Sequence, residues 1–115
     1  MGYSLGMATI EDFEKLDIRV GRIVEAKLLE GGKYSTHILK IDFGEELGVK
    51  KSCARVPKYE IAELMGLQVL CVVNFPSRQI GKNMSEVLTL GVPDGTGECA
   101  LVVPEKAVPL GVRLY

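Results

Sequence analysis

A change of hydrophobic period at Asp17 constrains this chain more than any other feature. Before it, Ile10, Phe13 and Leu16 recur at three-residue spacing, the narrow apolar stripe of a short helix. Thr9 stands where an N-cap belongs and Asp12 follows three residues on, a weaker form of the capping box. Glu11, Asp12 and Glu14 lie where the helix dipole favours anions. So short a helix is unstable alone. Its stripe must pack on its own domain or on a partner subunit.

After Asp17 the period is two. Ile18, Val20 and Arg22 alternate with Asp17, Arg19 and Gly21, while Ile23-Val24 breaks the parity and Gly21 predicts a bulge there. His37, Leu39, Ile41 and Phe43 share one face of the next strand, with Gly31-Gly32 as the turn before it. Gly44 to Gly48 reads as a turn, and Val49 to Val56 as a third strand stopped by Pro57. Tyr59 to Met65 reads as a helical turn or two closed by Gly66. Leu67 to Val73 is almost continuously apolar, the mark of a buried strand. Asn74 to Asn83 reads as a loop, Val87 to Leu90 as a strand, and Ala100 to Val103 as the last strand.

Short glycine-punctuated strands, a short N-terminal helix and one helix between strands three and four predict a mainly β chain. A five-stranded OB-fold barrel has that arrangement, and a small open sandwich is the rival. At 115 residues the chain suits one domain. We expect an N-terminal tail over residues 1–8 and a single domain over residues 9–115.

Side-chain chemistry excludes most enzymes. The single histidine, His37, sits beside Leu39 and Ile41 on its strand and is expected to be packed or at a barrel end. No H-E-x-x-H, G-x-S-x-G, P-loop or G-x-G-x-x-G motif occurs, and no spacing supports a metal site. Glu11-Asp12-Glu14 and Glu45-Glu46 are explained by helix capping and by a polar turn. Cys53, Cys71 and Cys99 are odd in number and form no C-x-x-C pair, so buried thiols are expected rather than disulfides. Lys51 and Arg55 beside Cys53 would favour its thiolate. The pattern argues for binding without catalysis, cofactor or metal. No apolar run approaches the ~20 residues of a membrane span. Met1-Gly2-Tyr3-Ser4-Leu5 has neither a basic n-region nor an apolar h-region, so a cytoplasmic protein with no membrane partner is expected.

The net charge is −1, so no global field attracts nucleic acid. Locally the balance differs. Lys33 to Lys82 holds eight Lys/Arg against five Asp/Glu, and Val49 to Tyr59 holds Lys50, Lys51, Arg55 and Lys58 with no acid. On charge alone a solvated strand-and-turn face is the readier explanation than a binding surface.

Several separated stretches point further. Asp12-Phe13-Glu14-Lys15-Leu16-Asp17-Ile18-Arg19-Val20-Gly21-Arg22-Ile23-Val24 resembles the opening of the EMAP-II-like tRNA-binding domain family, and within it the small stand-alone CsaA-like proteins. Ile41-Asp42-Phe43-Gly44 and Lys50-Lys51-Ser52 are similar to the second and third strands of that family. Val72-Val73-Asn74-Phe75-Pro76-Ser77-Arg78-Gln79-Ile80 and Ser85-Glu86-Val87-Leu88-Thr89-Leu90-Gly91-Val92-Pro93 are the most specific matches, and Val108-Pro109-Leu110-Gly111-Val112-Arg113 resembles its C-terminal segment.

The resemblance implies an OB barrel, a homodimer, and tRNA binding without strong sequence readout. It also implies, for the CsaA-like branch, an export-related chaperone activity toward unfolded polypeptides. Relatives occur fused to methionyl- and phenylalanyl-tRNA synthetase chains; a chain of this length leaves no room for the synthetase catalytic portion, so aminoacylation is not expected. The family's RNA surface maps onto Lys50, Lys51, Asn74, Arg78 and Ser85. Three departures stand out. Val87 and Leu88 replace the Gly-Met of tRNA-binding relatives, Gly32 to Thr36 lacks a usual proline, and Met84 replaces a frequently basic residue.

Phosphate contacts dominate nucleic-acid affinity. The candidates are Lys50, Lys51, Arg55, Lys58, Arg78 and Lys82, with Asn74 and Ser85 as donors to phosphate or 2′-OH groups. Turn stabilisation and strand capping are the ordinary alternatives for those two. With no Trp, and only Tyr34, Tyr59 and Phe75 near the basic stretch, docking on folded RNA by shape is favoured over stacking on single strands. A two-fold dimer would double the basic surface. Its interface candidates are Ile10, Phe13, Val108, Pro109 and Leu110, against packing within the domain. A polypeptide-binding groove is the second reading, with Met65, Met84 and Phe75 as its lining, against core filling.

Overall fold

The structure, a computed structural model, describes residues 6–115. The signal-peptide reading of Met1 to Leu5, and most of the expected tail, lie outside the described residues.

Helix α1 spans Ile10–Glu14 and is capped as its sequence predicts. The Thr9 amide donates to the Asp12 carboxylate over 2.9 Å, and the Asp12 amide donates to the Thr9 hydroxyl over 3.2 Å. Four long strands follow. They are β1 (Ile18–Leu28), β2 (His37–Asp42), β3 (Val49–Ala54) and β4 (Gln68–Val72), with helix α2 (Ile61–Leu64) between β3 and β4. Gly66 ends α2 with φ of +84°, a conformation that glycine adopts without strain. The remaining strands are short: β5 (Arg78–Ile80), β6 (Asn83–Ser85), β7 (Leu88–Thr89), β8 (Gly91–Pro93) and β9 (Cys99–Leu101).

The main sheet is antiparallel in the order β3-β2-β1-β4-β7. It curls until β3 meets the segment around β7, giving the nearly closed five-stranded barrel that the pattern predicts. Side chains and backbone close the seam together. The Glu86 amide donates to the Lys51 carbonyl (2.8 Å), the Lys51 amide to the Glu86 carboxylate (2.9 Å), and the Cys53 amide to the Ser85 hydroxyl (3.0 Å). Inside the seam the hydroxyls of Ser52 and Thr89 share a 2.7 Å hydrogen bond.

The interior holds Ile23, Leu39, Ile41, Phe43, Val69 and Cys71, with Leu64 of α2 filling one end. The bulge that the parity break suggested is present, though not at Gly21 itself. The register slips between Ile23 and Glu25, at Val24. Gly21 serves close packing instead, since a Cβ there would lie 2.5 Å from Ile41 Cγ2 and 2.8 Å from the Phe43 ring. The stretch read as a loop from Asn74 to Asn83 contains the β5–β6 hairpin. Nothing in its alternation announces strands so short. The last strand ends at Leu101 rather than Val103, and pairs only with β8 in a separate hairpin.

A second cluster lies outside the barrel. Ile18, Val20, Leu70 and Val72 are covered by Leu16, Leu90, Val102 and Val108. The C-terminal segment is held there by backbone bonds from Gly111 to the Val20 carbonyl and from Leu114 to the Ile18 carbonyl, 2.8 Å each. The buried Gln68 amide clasps the Val108 backbone from both sides, at 2.7 and 3.0 Å. This explains the continuous apolar run of β4, whose five residues are all buried.

Candidate nucleic-acid interface

Strand β3 sorts its side chains by parity. Ser52 and Ala54 are buried toward the interior, so Lys51, Cys53 and Arg55 fall on the outer face, and Lys50 shares the inward parity at the strand's start. Against that outer face lies a cleft of about 450 Å³. It is lined by Tyr34 and Ser35 from the β1–β2 connection, by Cys53 of β3 and Arg55 just after it, by Phe75, Pro76 and Arg78, and by Glu86. Ile80, Val87 and Leu88 add apolar lining.

The cations split into two groups. Arg19 bonds Asp17 (2.7 Å) and Glu46 (2.8 Å), which raise its pKa, and Arg113 lies 3.5 Å from Asp17. These arginines tie α1, β1 and the C-terminal segment together. By contrast, among the described residues none of Lys50, Lys51, Arg55, Lys58, Arg78 and Lys82 lies within 4.0 Å of a carboxylate. Arg55 donates one bond to the Tyr34 carbonyl (3.2 Å), and Arg78 donates no side-chain bond within the described residues. Folding therefore brings Arg55 and Arg78 to one cleft with most of their donors unused, and puts Lys51 on the same strand face. It does not bring Lys50 there. Lys58 stands exposed before α2, and Lys82 is exposed in the β5–β6 turn.

Asn74 and Ser85 have partners inside the protein. Asn74 accepts from the Asp17 amide (2.9 Å) and donates to the Lys15 carbonyl (2.8 Å), stapling the end of β4 to the α1–β1 link. Ser85 accepts from Cys53 and donates to the Val87 carbonyl (3.3 Å). Sequence reasoning missed Tyr34 and Phe75 as members of one cleft with the arginines, because their meeting depends on how the β1–β2 connection folds over β3.

The titratable core behaves as a packed core. His37 is buried beside the Thr36 hydroxyl (Nδ1 to Oγ1, 2.8 Å), and burial lowers its pKa. Burial pushes the Cys71 thiol up to about 12. Cys53 is also raised, because desolvation outweighs the opposite pull of Lys51. The thiolate that Lys51 and Arg55 would favour at Cys53 is thus not favoured overall, and the expected burial holds for Cys71, while Cys53 and Cys99 are half-buried. All three cysteines are free thiols. Among the described residues no helix is long and apolar enough to cross a membrane, and no cluster of three or more His, Cys, Asp or Glu is placed to hold a metal.

A second, smaller groove of about 280 Å³ joins α1 to the C-terminal residues. It is lined by Ile10, Phe13, Glu14, Arg113, Leu114 and Tyr115. Ile10 is 64% exposed there. Of the other interface candidates, Val108 packs on the outer cluster of its own chain, Leu110 is half-buried and Pro109 is exposed.

Comparison with known proteins places the fold in a family. Residues 18–113 match the family described as "Putative tRNA binding domain". The chain belongs to this tRNA-binding domain family. A methionine–tRNA ligase of Leptospira interrogans is 36% identical over 108 residues, 92% of this chain, and one of Pyrococcus horikoshii 35% over 105 residues, 90% of this chain. The chain covers 14% of the length of either ligase. Among solved structures, the chaperone CsaA of Bacillus anthracis superposes with a TM-score of 0.87 at 37% identity, covering 96% of this chain and all of the other. The CsaA chaperone protein of Picrophilus torridus gives 0.88 at 38% identity, covering 95% of this chain and all of the other. The chain is thus a CsaA-like member of the family, with the barrel of those structures. The family is that of a tRNA-binding module, the small non-catalytic fraction of the ligase chains.

Proposed function

We propose that this chain is a non-catalytic, cytoplasmic tRNA-binding protein that docks on folded RNA through the outer face of β3 and the β5–β6 hairpin. The observation that carries this reading is the meeting of Arg55 and Arg78 in one cleft, with neither guanidinium neutralised by a carboxylate. Guanidinium forks match phosphate geometry bidentately. Lys51, Lys58 and Lys82 supply further charge along the same approach, and Lys50 contributes at the strand's start. Asn74 and Ser85 act by holding the 74–85 segment in shape rather than by gripping RNA. The working unit spans residues 9–115 and is a homodimer. Its interface uses Ile10 and Phe13 with the C-terminal segment, Val108, Pro109 and Leu110 included, and Leu114 and Tyr115 extend the same groove.

Fluorescence anisotropy with tRNA over a salt series tests the reading. Binding weakens with salt, and R55E/R78E lowers affinity at least about tenfold while flattening the salt slope by roughly 1 to 2. An unchanged slope in the double variant rejects this surface.

A second reading, a chaperone that binds unfolded polypeptides, is supported by the CsaA relatives and by three half-exposed apolar side chains. Met65, Met84 and Phe75 are 46%, 44% and 45% exposed and do not fill the core. Only Phe75 of the three lines the cleft. Failure to suppress aggregation of an unfolding client at equimolar dimer counts against this activity.

A further inference from the structure

The cleft over β3 has a division of labour that general phosphate attraction does not need. Its neutral polar groups are already occupied. Ser85 serves Cys53 and Val87, and Thr89 pairs with Ser52. Glu86 has one carboxylate oxygen held by the Lys51 amide. What remains for a ligand is two guanidiniums, the second oxygen of the Glu86 carboxylate, an apolar lining from Ile80, Val87 and Leu88, and two aromatic rings, Tyr34 and Phe75, that are 78% and 45% exposed. A carbohydrate would find few free hydrogen-bonding partners. An extended peptide would find the β3 backbone at Lys51 and Cys53 already bonded to the 85–87 segment. A flat heteroaromatic ring carrying a phosphate matches the arginines and the aromatic rings, with the two guanidiniums outnumbering the single Glu86 carboxylate. The volume, about 450 Å³, is in the usual range for small-molecule sites.

We propose that this cleft takes up one unpaired nucleotide of the bound RNA, its base against Phe75 and Tyr34 and its phosphate on Arg55 and Arg78. The inference rests on the tRNA-binding reading and adds a local contact to it. The body of the RNA docks by shape and charge, while one nucleotide out of the stack enters the cleft. Because every base has a flat face, such a contact adds affinity with little sequence preference.

The test separates the pocket from the RNA surface. The intact chain is titrated with adenosine 5′-monophosphate, adenosine, ribose 5-phosphate and inorganic phosphate, followed by backbone amide NMR shifts, and with tRNA by anisotropy. The monophosphate binds at millimolar concentration, at least about tenfold tighter than either half-ligand, and shifts amides around Tyr34, Cys53 and Phe75. F75L weakens it about tenfold and F75Y restores it. In tRNA binding, F75L lowers affinity without changing the salt slope, because stacking releases no counterions. Retained tRNA binding with no monophosphate site, or with one indifferent to F75L, overturns the pocket and leaves the RNA surface standing. Phe75-dependent capture of a reduced, carboxymethylated client protein without nucleotide binding assigns the cleft to polypeptides and also overturns it. Absence of tRNA binding overturns both readings.

Discussion

The two sides of the barrel solve the problem of a sheet's outer face in opposite ways. Along β1 and β4 the outer face is apolar, and the chain's own C-terminal segment returns to cover it, so β4 is buried throughout. Along β3 the outer face is Lys51 and Cys53, continued by Arg55 just past the strand, and the hairpin segment is held at the seam by polar bonds, leaving a cleft. The first side gains stability by removing apolar area from water. The second keeps its charged groups hydrated, since burying them unpaired would be costly. Apolar cover and exposed charge thereby occupy different walls of one small fold.

The sharpest break of this contrast is Gly21→Val. Its Cβ would fall 2.5 Å from Ile41 and 2.8 Å from Phe43, in the interior behind the covered wall. Overpacking of this kind should cost about 3 kcal/mol, read from urea unfolding, while the tRNA affinity of the folded fraction stays within about twofold. Asn74→Ala probes the boundary from the other direction. Losing the bonds to Asp17 and Lys15 should cost about 1–2 kcal/mol with the tRNA salt slope unchanged. A reduced slope at full stability would move Asn74 to the RNA surface.

The smallest effect belongs to His37, which opens β2 opposite Ala54 between the two regions. Burial lowers its folded-state pKa below the ordinary 6.5. Above 6.5 the ring is neutral in both states and contributes no pH dependence. As pH falls below 6.5 the unfolded chain binds the proton more readily, so stability declines until the folded-state pKa is passed. His37→Gln should shallow the fall in urea midpoint from about pH 7 to about pH 5. An identical profile would place the titrating group elsewhere.

The covered wall was legible in the residues. Leu67 to Val73 reads as a buried strand, and Leu39, Ile41 and Phe43 share one face by alternation alone. Thr9 and Asp12 announce α1, and Gly66 the end of α2. The open wall was legible only as a list of cations. Lys50 and Arg55 stand equal in a charge count, yet strand parity separates them. Asn74 and Ser85 belong to the right segment, but their partners lie at Asp17, Lys15 and Cys53, remote in sequence. The β5–β6 hairpin escaped detection because three-residue strands carry too little alternation to register.

What the residues alone determine is local: periods of three and two, caps, turns, and an acid-free stretch from Val49 to Tyr59, together with the motifs that mark the tRNA-binding domain family. These depend on neighbours within a few positions, so the linear order suffices. Which cations remain unpaired, and that Tyr34 and Phe75 share a cleft with Arg55 and Arg78, is decided by barrel closure. Closure joins β3 to a segment more than thirty positions away, and a one-dimensional pattern carries no distance between walls that only the seam brings together.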